Sequence, residues 1–454
     1  MKYNSFFKII LFGFVCAFIA TSCVKEGPLG PAGADGKDGA AGAAGKDGKD
    51  ANETCIICHA PGAVDRIAVE FQYSKHEEGE AAIEEAGNVG CTPCHAQEAF
   101  IYVVENKTPS TFVYNETTKR YDNKYAATPG TAYGRLLCAT CHSSIHKTYA
   151  SSDLPALTTT AAVPLTMWGG AKTVNLTADG GSSNLCVKCH QPRPQTNLQN
   201  GNVQDYVAVA ANPKTLAFDA ENPTATTNIV RPSYRMHIHY GSVGAIYAGV
   251  GGVEFAGSIQ YTSSAHPAVA SCKDCHMGPM YGTSTAGASG GHTFKAKGNL
   301  TTCNAAGCHS TPVTPTTANL WVNPRNEIKG LLDALAAKLV VNGVEILNRD
   351  KDAETNLWLG LTKNNYDGYL NVYDPSLNPG VGTDNVTGPF QNAAPAGSWT
   401  AEQKAYNLSL PKLSLTNAQY GALINFQLCL REYSLGIHNY AYSKALLTNS
   451  AAVL

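Results

Sequence analysis

The pentapeptide Cys55-Ile-Ile-Cys58-His59 recurs four times along the chain. The repeats are Cys91-Thr-Pro-Cys94-His95, Cys138-Ala-Thr-Cys141-His142, Cys186-Val-Lys-Cys189-His190 and Cys272-Lys-Asp-Cys275-His276. A sixth version, Cys303-Asn-Ala-Ala-Gly-Cys308-His309, stretches the loop between its thiols by two residues. A bare Cys-x-x-Cys pair suits a redox disulfide or half of a zinc site. Neither chemistry asks for histidine at the next position, yet all six pairs have it. With 13 His in 454 residues, chance would put one after a given Cys about 3% of the time.

What does ask for that histidine is covalent haem attachment. Two thiols at this spacing form thioethers with the two vinyl groups of one haem, and the adjoining imidazole reaches the iron. The pattern predicts six haem c groups, with Cys55, Cys58, Cys91, Cys94, Cys138, Cys141, Cys186, Cys189, Cys272, Cys275, Cys303 and Cys308 as attachment residues. His59, His95, His142, His190, His276 and His309 become the proximal ligands. On these motifs the chain resembles the multihaem c-type cytochromes, over residues 55–311 directly. Of 15 Cys, 12 sit in the motifs, so few thiols remain for a disulfide framework. Cys16 and Cys23 lie near the N-terminus, and Cys429 sits in an apolar helical segment that suits a buried, inert thiol.

Residues 1–22 read as an export signal, with Lys2 and Lys8 ahead of a short apolar core from Ile9 to Ala20. The run Ala20-Thr21-Ser22-Cys23 resembles a bacterial lipoprotein cleavage box, which implies lipidation of Cys23 and anchoring at the outer membrane, on its periplasmic or cell-surface face. An ordinary cleaved signal with an incidental cysteine is the plainer reading. Export agrees with the resemblance, because multihaem c-type cytochromes receive their haems outside the cytoplasm. From Gly27 to Gly48 every third residue is glycine, the signature of a collagen-like Gly-X-Y repeat. Residues 23–54 therefore form a lipidated spacer, either an extended tether or a trimerising stalk, with a reach of roughly 70 Å at about 3.1 Å per residue.

The first cysteines of the six motifs have no fixed period, which excludes a solenoid. Stretches between them, such as residues 150–162 and 201–227, are rich in Thr, Ala, Gly, Asn and Pro and read as long connections. Such a chain has difficulty building a core from side chains alone, and flat apolar macrocycles would supply one. The expected fold class is mainly α with little regular structure, the chain wrapped around a haem array at 55–311. Residues 312–454 are expected to form a C-terminal helical subdomain. Ile328, Leu331, Leu332, Leu335 and Leu339 keep helical spacing between Pro324 and a stop at Gly343. Thr416-Asn-Ala-Gln419 reads as a capping box for a second helix ending at Gly436, with a short helix through Leu446 and Leu447 beyond it.

Seven histidines lie outside the motifs: His76, His146, His237, His239, His266, His292 and His438. Six irons need six distal ligands, so the supply is one more than required. The segments around His76, His266, His292 and His438 resemble distal-ligand segments of multihaem cytochromes. His239 is favoured over His237 because His239-Tyr-Gly241 resembles a recurring family segment. His146 stands four residues after His142, about 6 Å away on a helix, and so belongs to a neighbouring haem.

A net charge of −2 with 15% charged residues gives no footprint for nucleic acid. The resemblance implies an electron carrier with every iron closed by two histidines. Its partners would be other redox proteins or extracellular acceptors, in respiratory or extracellular electron transfer. A multihaem reductase with one open iron, acting on nitrite, hydroxylamine or a sulfur oxyanion, and a polymerised filament subunit are the alternatives.

Overall fold

The computed structural model describes residues 62–87, 91–105, 112–115, 120–123, 134–142, 157–192, 204–226, 228, 236, 238–282, 288–296, 300–304, 308–309, 311–349, 366–370 and 412–454. The signal segment, Cys23, the glycine repeat, the first motif (Cys55, Cys58, His59), His146 and His237 lie outside the described residues.

Up to residue 311 the helices are short. They are α1 (Ala63–Gln72), α2 (Lys75–Glu78), α3 (Glu80–Glu84), α4 (Thr92–His95), α5 (Gln97–Glu105), α6 (Cys138–Cys141), α7 (Ser182–Cys189), α8 (Tyr206–Ala211), α9 (Val243–Ala248), α10 (His266–Val269) and α11 (Cys272–His276). Three long helices follow: α12 (Asn323–Lys338), α13 (Asn417–Arg431) and α14 (Tyr440–Val453). Among the described residues sheet is confined to two-stranded antiparallel ribbons, β1 (Phe112–Asn115) with β2 (Arg120–Asn123) and β3 (Val163–Pro164) with β4 (Thr173–Val174) among them. A third, β5 (Leu216–Phe218), pairs far along the chain with Leu415–Thr416, immediately before α13.

The long helices build a side-chain core that the composition of residues 55–311 did not promise. α12 buries Ile328, Leu332, Leu335 and Ala336, one stripe at helical spacing. α13 is buried on nearly all sides, and α14 packs on both. Their apolar residues join Leu165, Met167, Val187, Ile246 and Phe255 in one cluster, so the C-terminal helices share a core with the middle of the chain.

The helix ends differ from the sequence reading in two places. α12 stops at Lys338, and Gly343 instead turns a hairpin between Val340–Val341 and Val344–Glu345. Asn342 and Gly343 both take positive φ (49° and 80°), which is the two-residue turn that Asn-Gly favours. α13 does begin on the Thr416 capping box, where Gln419 N–H donates to Thr416 Oγ1 at 3.2 Å. It ends at Arg431 rather than at Gly436, because Glu432 folds its carboxylate back over the next six residues. The last helix is a full α14 of 14 residues, not a short one. Among the described residues no helix is long and apolar enough to cross a membrane.

Candidate haem-ligand sites

Each described Cys-x-x-Cys motif sits on a short helix that ends at its histidine or at the cysteine just before it. α4 carries Pro93 in its first turn and finishes at His95. α6 presents Cys138 and Cys141 one turn apart, and α7 presents Cys186 and Cys189 likewise. At α11, Ser271 N–H and Oγ–H both donate to Asp274 Oδ2, at 2.8 and 2.7 Å, which fixes the helix start just before Cys272. Cys303 lies in a 3₁₀ turn, and His309 N–H donates to its carbonyl at 3.2 Å.

Four of these histidines face a histidine from outside the motifs. The ring centroids are 5.9 Å apart for His190 and His76, 6.2 Å for His95 and His239, 6.1 Å for His309 and His266, and 6.2 Å for His276 and His438. Two metal–imidazole bonds of about 2 Å, in line across one metal ion, hold the centroids roughly 6 Å apart, each centroid lying about 1 Å behind its nitrogen. The spacing fits an iron ligated from both faces. His292 lies within electrostatic reach of His142. Each non-motif histidine comes from a different stretch of chain, and the partner of His95 is His239, the one favoured over His237.

The hydrogen bonds select the ring atom left for a metal. Nδ1 of His190 meets Gly241 O at 3.1 Å, His239 meets Tyr240 O at 2.7 Å, His266 meets Ile437 O at 3.0 Å and His276 meets Phe294 O at 2.9 Å. A carbonyl only accepts, so Nδ1 carries the proton and Nε2 keeps its lone pair. His438 does the same with a carboxylate, its Nδ1 lying 2.5 Å from Glu432 Oε2. Burial lowers the pKa of His76 to about 4 and lowers those of His190, His266, His276 and His292 as well. Neutral imidazole is the form that ligates.

Buried polar groups on α13 place one of these ligands. Gln427 accepts from Ile238 N–H at 3.0 Å and donates to Met236 O at 3.1 Å, while Arg431 donates to Ile238 O. That clamps the segment leading into His239. Gly244 allows α9 to press on α7. A Cβ there would lie 2.8 Å from both Val187 methyls and 2.9 Å from the carbonyl of His190.

The thiols meet across motifs. The Cys94 thiol lies close to that of Cys189, and the Cys186 thiol close to that of Cys272. None of the described cysteines is in a disulfide. Cys429 is fully buried, and burial pushes its thiol pKa far up. Among the described residues no group of three or more His, Cys, Asp or Glu converges as a metal site. Two imidazoles are the complement a porphyrin iron takes, whereas a structural zinc needs four protein donors.

Sequence reasoning missed several residues that hold the candidate ligands. Asp274 was legible, since Ser271-x-x-Asp274 is a capping box ahead of the fifth motif. Glu432 and Glu70 carry no local signal. Glu70 is buried and accepts from His292 N–H at 3.0 Å. Compared with protein families, with curated proteins and with solved structures, the chain matches none.

Proposed function

We propose that the chain is an electron-transfer protein holding six haem c groups, each iron closed by two histidines. What carries the reading is the four imidazole pairs at 5.9–6.2 Å, each joining one motif histidine to one histidine from elsewhere. The cysteines of each motif would hold a macrocycle by thioether bonds, and the paired imidazoles would close both axial positions. The group when bound supplies reversible one-electron exchange between ferric and ferrous iron. The residues around it do the rest. Backbone carbonyls orient His190, His239, His266 and His276, burial favours the neutral form of His76, His190, His266 and His276, and closure on both faces would leave no position for substrate.

His142 with His292 and His59 with His146 complete the set on this reading, the second pair by elimination. Cys94 against Cys189, and Cys186 against Cys272, bring the second, fourth and fifth motifs edge to edge, as a chain of carriers requires. With Cys23 lipidated and the glycine repeat as spacer, the protein would work from the outer membrane. It would exchange electrons with other redox proteins or extracellular acceptors.

The test is the protein purified from a host that matures c-type cytochromes. Six haems per chain should survive denaturation and solvent extraction, and low-temperature paramagnetic resonance should show only low-spin ferric iron. Extractable pigment or none ends the proposal. A high-spin signal from one haem points instead to the reductase.

A further inference from the structure

We infer that Glu432 is a positioning residue that sets the redox potential of one haem, the one ligated by His276 and His438, below that of its neighbours. The inference rests on the haem reading above and concerns a side chain that this reading does not need.

Glu432 is fully buried, and three donors converge on its carboxylate. Ser434 Oγ–H donates at 2.6 Å, Gly436 N–H at 3.0 Å and His438 Nδ1–H at 2.5 Å. A protonated acid would spend one oxygen as a donor, and every polar contact here is a donor pointing inward, which is the environment of a carboxylate. The neighbouring Arg431 guanidinium is directed elsewhere, to Ile238 O and the face of Tyr240. Of the three donors on the carboxylate, His438 is the one that is also a ligand candidate.

The contrast with the other ligands makes this specific. Nδ1 of His190, His239, His266 and His276 goes to neutral backbone carbonyls. Glu70 is another carboxylate near a ligand candidate, but its Oε2 stands 3.8 Å from His292 Nδ1, long for a hydrogen bond, and its Oε1 is paired with the Arg66 guanidinium, which offsets its charge. A carboxylate that accepts the Nδ1 proton makes Nε2 a stronger donor, and outer-shell bonds of this kind tune a metal site. A stronger donor and a nearby negative charge both favour ferric over ferrous iron, so the effect has one sign.

The loop is built to hold this contact. Tyr433, Leu435 and Gly436 take positive φ (65°, 56° and 88°), and His438 N–H donates to Ser434 Oγ at 2.9 Å. Two non-glycine residues in the left-handed region within six positions are a cost that the carboxylate's three bonds offset.

The experiment is a spectroelectrochemical titration of the haem-loaded full chain, wild type beside Glu432→Gln and Ser434→Ala. Glu432→Gln should raise the potential of one haem in six and leave the others in place. Ser434→Ala loosens the same loop but keeps the carboxylate on His438, and should not raise it. Equal upward shifts in both variants would assign the effect to the loop and overturn the inference, as would unmoved potentials. Should Glu432→Gln fail to fold, the wild type decides. One ferric low-spin species should show the narrower g-spread of an imidazole with anionic character, and six species with the spread of neutral imidazoles overturn it. Protein lacking covalent haem sinks the electron-transfer reading and this inference with it. Six haems with unchanged potentials sink this inference alone.

Discussion

Gln427→Leu tests whether α13 positions a ligand or only fills the core. The side chain is completely buried, and its amide spans Ile238 N–H and Met236 O, the two backbone groups just ahead of His239. Leucine has a similar volume and no polar atom, so both backbone groups lose their partners without a cavity forming. Each orphaned buried group costs about 1–3 kcal/mol, a gross loss of roughly 2–6 kcal/mol. The extra apolar burial of leucine returns about 1 kcal/mol. The net expectation is about 3 kcal/mol, close to a hundredfold rise in the population in which the segment has come away. Denaturant titration followed by helix signal reads the stability, and the haem absorbance reads the ligands. The variant should lose stability by that amount and should show one haem in six with high-spin character, because His239 is the far partner of His95. A loss below about 1 kcal/mol with six low-spin haems would refute the argument that this amide holds the ligand segment.

Other perturbations probe the remaining sites. His76→Gly should open one face at the fourth motif, turning one sixth of the ferric haem high-spin, and added free imidazole should restore the low-spin spectrum. Gly244→Ala forces a methyl onto Val187 and the carbonyl of His190, and should cost about 1–3 kcal/mol with a lowered Tm and a disturbed fourth haem. Alkylation of the denatured, lipidated protein should label Cys429 alone, since twelve thiols are consumed in the motifs; peptide mapping that finds motif cysteines labelled counts against thioethers. If the chain is exported to an oxidising compartment without haem attachment, mapping should find disulfides joining Cys94 to Cys189 and Cys186 to Cys272, the thiols already in contact.

Local chemistry was legible along the chain, and tertiary pairing was not. The Thr416 capping box marked the start of α13 because both of its partners lie within one turn. Its end was misplaced because Gly436 looks like a helix stop, while the residue that breaks the helix is a glutamate whose role depends on a histidine six positions on. Gly343 was read as a stop for the same reason. The Asn before it makes the pair a hairpin turn, and that signal was available. The core was underestimated because its apolar residues are dispersed over residues 163–255 and gather only against α13 and α14. The histidines were all visible as residue types. Which faces which depends on chain crossings over most of the described length, and spacing carries no information about that.

Those crossings bear on how the protein would fold. His76 faces His190, and His276 faces His438, so each ligated iron would close a long loop of chain. Loop closure grows costly only slowly with length, whereas a pair of metal–imidazole bonds stabilises the folded state outright. Phe294 then stands at a meeting point. Its carbonyl accepts from His276, and its ring packs edge-on against His76 at 4.9 Å and His292 at 5.8 Å. It does so with φ of 54°, a backbone setting that phenylalanine seldom takes. One strained residue thus touches ligand candidates for three separate irons, those paired with His142, His190 and His276. On the electron-transfer reading, a carrier needs its neighbouring irons held at fixed separations, and a shared contact of this kind would contribute to that.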